Sequence, residues 1–193
     1  NIEKEHYKLF FISALNGKES HILLDVLKED IHYKTLVKTP VGSSFLKETG
    51  TPVMVTTPDF NNILGDKLTA FAPTTTGIPY IKKDKEMGME IIKQMYDVGC
   101  LFDEIDDISM VKDVFKAFAA IELEYRGNTH TISDVLDDTF YTALAVCFRK
   151  NIQNTNFTVL NNGLFQSSLI YSLIPFTWIK LLHTPLKLLI WLY

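Results

Sequence analysis

Apolar and polar positions change their period partway along the chain. Residues 7–15 and 20–27 are two apolar, aromatic-rich runs on either side of Asn16-Gly17, a pairing that predicts a β-hairpin. In "HILLDVL", alternation puts Ile22, Leu24 and Val26 on one face and Leu23, Asp25 and Leu27 on the other. Residues 31–56, broken by Pro40, Gly42, Gly50 and Pro52, read as short strands and turns, with "TPVMVTT" β-branched and extended. Beyond residue 56 the period becomes helical. Thr57-Pro58 predicts a helix start with proline at the first helical position, and the helix runs to Phe71. "APTTTGIPYIKKDK" is a loop, followed by helices over 86–103 and 108–126. Thr131 and Asp134 form a capping pair that opens a further helix to Lys150. The expected class is α+β, with a β region at 1–56, a helical region at 57–163 and an apolar tail at 164–193.

That tail, "LFQSSLIYSLIPFTWIKLLHTPLKLLIWLY", is interrupted by Pro175, and its longest charge-free run ends at Lys180. It falls short of the roughly 20 consecutive apolar residues a membrane helix needs. A buried or aggregation-prone tail, or an altered C-terminus, is the expectation, and a membrane anchor ranks last. With 47% hydrophobic and 22% charged residues over 193 positions, the composition is that of one globular domain or two small ones. A net charge of −4 argues against holding nucleic acid by bulk charge and leaves room only for a local basic patch. Cys100 and Cys147 lie in apolar helical sequence without metal spacing, which fits reduced, buried thiols of a cytoplasmic protein. No signal peptide is visible. The first residue is Asn1 rather than Met, so the expectation is that the natural start precedes it.

Three side chains stand out chemically. Asp25 sits between leucines in a strand, a costly place for a carboxylate without a partner. It reads either as an exposed aspartate on a half-wet sheet or as an oxygen ligand for Mg²⁺, the first being favoured on pattern alone. Lys67 falls within the stripe made by Phe60, Ile63, Leu64, Leu68 and Phe71 on a wheel of about 100° per residue. It is balanced between a snorkelling lysine and a point charge aimed at a phosphate. Asp97 lies off the stripe of Ile91, Met95, Val98 and Phe102, and pattern alone favours a surface pair with Lys93. The acidic run Asp103, Glu104, Asp106 and Asp107 reads as a solvated helix end, since it lacks EF-hand spacing. "VGSSF" at 41–45 contains Gly-Ser, but no paired carboxylates follow at useful spacing.

The strand "HILLDVL", then β segments, then "ILGDKLTAFAP" and "IIKQMYDVGCLFD" together resemble the AbiEii/AbiGii nucleotidyltransferase toxins of abortive-infection toxin–antitoxin systems, from about residue 7 to residue 150. The two quoted helical segments carry most of that resemblance. It implies a partial polymerase-β-type nucleotidyltransferase sheet followed by a helical C-terminal part. It also implies Mg²⁺-dependent transfer of a nucleotide from an NTP to an acceptor, which is tRNA in some relatives, and a cognate antitoxin protein. Matched residue by residue, Asp25 takes the place of a metal-site carboxylate, Lys67 of the lysine that contacts nucleotide phosphates, and Asp97 of the aspartate on the following helix. Gln94 stands where many members have an acidic residue, a departure that leaves its role open. The family's Gly-Ser and Asp-x-Asp motif is expected upstream of the hairpin, so the chain as given is expected to be inactive by itself. The rival reading is a degenerate, non-catalytic member that serves as a binding or antitoxin-interaction module.

Overall fold

In the computed structural model, which describes residues 3–42 and 49–171, β1 (Glu3–Ile12) runs antiparallel to β2 (Glu19–Lys28). The pairing sets Tyr7 opposite Leu24, Leu9 opposite Ile22 and His6 opposite Asp25. Alternation then places the two faces as the sequence pattern predicts, with Ile22, Leu24 and Val26 on one and Leu23, Asp25 and Leu27 on the other. The connection is longer than a two-residue turn. It spans residues 13–18, with Gly17 at φ +65° and the Asn16 side chain accepting from the Lys18 N–H at 3.0 Å. Residues 13–15, expected in the first strand, belong to this loop, where Leu15 is almost fully exposed. The hairpin lies in one compact unit, Asn1–His32, and the rest of the chain forms the second, Tyr33–Tyr193.

The second unit opens with β3 (Leu36–Pro40) paired antiparallel to β4 (Met54–Pro58). Its helices are α1 (Phe60–Ala70), α2 (Gly88–Leu101), α3 (Ile108–Tyr125), α4 (Ile132–Phe148) and α5 (Phe157–Tyr171). Small antiparallel sheets followed by helices make this an α+β fold consistent with a nucleotidyltransferase type. The Gly-Ser at 42–43 runs into residues outside the described set, as do residues 172–193 of the apolar tail.

Helix α1 begins later than its proline suggested. Pro58 closes β4 opposite Leu36, and Asp59 is the N-cap, its carboxylate accepting from the Asn62 N–H at 2.9 Å. Thr131 and Asp134 form a full capping box at the start of α4. The acidic run before α3 is also structural. Asp107 caps that helix through the Ser109 and Met110 N–H groups, and Asn61 accepts from the Asp106 and Asp107 N–H groups.

The core is helical. Leu64, Leu68, Phe71, Ile91, Ile92, Met95, Val98, Val111, Phe115, Val135, Val146 and Leu160 are buried together. Each side chain of this size stabilises by roughly 1.5–3 kcal/mol when fully withdrawn from water. The buried side of α1 is Asn61, Asn62, Leu64, Gly65, Leu68 and Thr69. Phe60 is half exposed and Ile63 only half-buried. The packed stripe is therefore rotated away from the one predicted by hydrophobicity, because two buried asparagines replace apolar residues on it. Two glycines explain how closely the helices approach. A Cβ on Gly65 would lie 2.8 Å from Val114 on α3, and one on Gly163 of α5 would lie 2.2 Å from the backbone carbon of Gly88 on α2.

Candidate functional site

Rotation of the packed stripe moves Lys67 to the flank of α1. There its ammonium reaches across to α2, donating to Asp97 Oδ2 at 3.0 Å and to Gln94 Oε1 at 3.1 Å. About a third of the lysine side chain stays open to solvent. Gln94 and Asp97 are three residues apart, so one face of α2 presents both oxygens to the same cation. The adjoining face of α2 carries Ile91, Met95 and Val98, all fully buried, which anchors that presentation. Asp97 thus pairs across two helices with a residue far away in sequence rather than forming the predicted surface pair with Lys93.

Neighbouring contacts brace the lysine's own helix. Asp66 accepts from the Tyr33 hydroxyl at 2.8 Å, and the Tyr33 ring lies 4.9 Å from that of Phe118 on α3. Asn62, fully buried, accepts from the Lys34 N–H at 2.7 Å. The loop leaving α1 is held by Asp138 of α4. One oxygen of that carboxylate accepts from the Thr74 N–H at 2.8 Å and from the Thr75 N–H and hydroxyl, each at 2.9 Å. Burial pushes the Asp138 carboxyl above the usual aspartate range, against the opposing pull of those donors. Neither Asn62 nor Asp138 stood out in the sequence. An aspartate in mid-helix on the face that carries Val135, Ala145 and Val146 was the available signal, because a buried carboxylate requires donors.

Asp138 also lines a pocket of about 230 Å³, with Thr74, Asp134, Asp137, Tyr141 and Gln153 among its walls. Two of its three carboxylates are occupied structurally, Asp138 by the loop and Asp134 by the cap of α4.

Asp25 belongs to the hairpin unit. Its Oδ1 lies 2.7 Å from His6 Nδ1, and both side chains are about two-thirds exposed. Water solvates the carboxylate between its leucines, because this part of the hairpin is open, with Leu24 and Leu27 themselves about half exposed. Among the described residues no group of three or more histidine, cysteine, aspartate or glutamate side chains is arranged to hold a metal ion. Asp25 as it stands supplies one carboxylate, which does not make a Mg²⁺ site by itself. Cys100 and Cys147 are free and half-buried, and burial raises the Cys147 thiol above its ordinary range, making it less reactive. No described helix is long and apolar enough to cross a membrane.

Lys67 is thus fixed between a carboxylate and an amide, on helices that follow short antiparallel ribbons. Residues 1–158 match the family described as nucleotidyl transferase AbiEii toxin, type IV toxin–antitoxin system, and the chain belongs to that family. Membership makes it a nucleotidyl transferase toxin by class, which implies a nucleotide substrate, a divalent metal and an antitoxin. Comparison with curated proteins and with solved structures gives no significant match.

Proposed function

We propose that this chain supplies Lys67, as the ligand of the nucleotide phosphates, to a protein that transfers a nucleotide from an NTP to an acceptor hydroxyl. The supporting observation is the Lys67–Asp97 pair at 3.0 Å, with the ammonium held between two helices and still partly open to solvent. Lys67 carries a point charge that neutralises phosphate oxygens as the acceptor attacks the α-phosphate in line. Asp97 is a positioning residue that keeps the ammonium aimed while no nucleotide is bound. The acceptor is tRNA, the metal that serves the class is Mg²⁺, and Asp25 is one oxygen ligand toward it. The chain works in the cytoplasm against a cognate antitoxin. Mg²⁺ would supply charge neutralisation at the transferring phosphoryl group. The work assigned to this chain's own side chains is orientation and phosphate binding.

The complete protein, given labelled NTPs, Mg²⁺ and total tRNA, is expected to label the RNA. Lys67→Ala should lower labelling by about 100-fold or more, the scale on which loss of a preorganised charge at a transferring group is felt. Undiminished labelling in that variant removes Lys67 from the site.

A further inference from the structure

We propose that Gln94 is a positioning residue that sets the net charge of the Lys67 site and thereby fits it to a linear polyphosphate. The inference rests on reading Lys67 as the phosphate ligand. An ammonium has three N–H donors and no acceptor. Asp97 Oδ2 takes one at 3.0 Å and Gln94 Oε1 takes another at 3.1 Å. One donor is left for a ligand. Two acceptors on one face of α2 restrict the ammonium more than a lone carboxylate would, since a lysine stem has four rotatable bonds and each added anchor removes some of that freedom.

Charge separates the two acceptors. The ammonium and the Asp97 carboxylate sum to zero, and the Gln94 amide leaves that sum unchanged. A glutamate at 94 would offer an oxygen with the same reach but would bring the trio to −1. A triphosphate carries several negative charges, and repulsion from an added carboxylate a few ångströms away is felt strongly at a partly buried site. The amide is the acceptor that orients the lysine without opposing the anion. An apolar side chain at 94 would keep the charge balance and give up the second anchor. Gln94 therefore contributes in two separable ways, by accepting a bond and by being neutral.

The separation defines the experiment. The full chain and its Gln94→Glu, Gln94→Leu and Lys67→Ala variants are titrated calorimetrically with inorganic tripolyphosphate. Melting temperatures are recorded for each. The parent is expected to bind, Lys67→Ala to lose binding, Gln94→Leu to weaken it two- to threefold and Gln94→Glu about tenfold. Adding salt should narrow the gap between Gln94→Glu and the parent, because its origin is charge. Gln94 is half-buried at the surface of α2, so the two Gln94 variants should melt close to the parent. Equal affinity in Gln94→Glu and the parent, or Gln94→Leu as weak as Gln94→Glu, overturns the charge-setting role while Lys67 keeps its own. Tripolyphosphate binding that survives Lys67→Ala, or no binding by the parent, overturns the phosphate reading of Lys67 and the role of Gln94 together.

Discussion

A carboxylate at position 138 faces a conflict between solvation and bonding. Its residue is 7% exposed, yet three donors from Thr74 and Thr75 converge on one oxygen. Asp138→Ala would leave two backbone N–H groups without that partner, and a loss of about 1–3 kcal/mol in urea unfolding is expected. The pH dependence follows from the raised carboxyl. Between the ordinary aspartate value and the raised one, the folded chain holds a proton that the unfolded chain has released. The contribution of Asp138 to stability is then full below the ordinary value and falls as pH rises through the folded one. Subtracting the melting curve of Asp138→Asn from that of the parent, pH by pH, should isolate a difference that declines in this sense from acid toward neutral. An increasing difference contradicts it. At the same scale, Lys67 shows what a single side chain reveals in sequence. Its departure from the apolar pattern was visible, but its partners were not, because Gln94 and Asp97 meet it only once α1 and α2 have packed.

Helices, more than strands, were legible from the pattern. The buried stripe of α2, with Ile91, Met95 and Val98, follows the 3.6-residue period, and the Thr131–Asp134 box marks the start of α4. The buried stripe of α1 departs from the hydrophobic pattern because Asn61 and Asn62 lie on it, satisfied by the segment at Asp106–Asp107 and by Lys34. Such partners come from distant parts of the chain and leave no local periodic trace. The hairpin connection is longer than its pattern for a different reason: Asn16-Gly17 marks a turn without fixing how many residues around it leave the ladder. Packing of α1 on α3 depends on Gly65. Gly65→Ala would place a methyl 2.9 Å from the Phe115 backbone nitrogen, so main chain must shift. Helix propensity returns about 1 kcal/mol and overpacking costs about 1–3 kcal/mol, leaving a net loss expected in denaturant titration. Lys67 lies two residues further along α1, so the same variant should weaken tripolyphosphate binding as well.

At the scale of the molecule, the buried cluster among the described residues is drawn entirely from the second unit. Residues 33–193 expressed alone are expected to keep a helical circular dichroism spectrum and a cooperative melt. Residues 1–32 alone should be unstructured, since an isolated two-stranded hairpin is marginal in water. A noncooperative melt of the larger piece would show that its core needs the hairpin. The contact between Gly88 and Gly163 has a consequence for ancestry. Gly88 lies inside the family match and Gly163 just beyond its end at residue 158. Either position alone could drift to alanine only if the other helix moved, and α2 cannot move without carrying Gln94 and Asp97 along. The two glycines should therefore be inherited as a pair. Homologues that keep both are expected to share the α5 crossing, and those that lose one should have lost the other, so the pair forms a signature that extends the recognisable lineage past the matched segment.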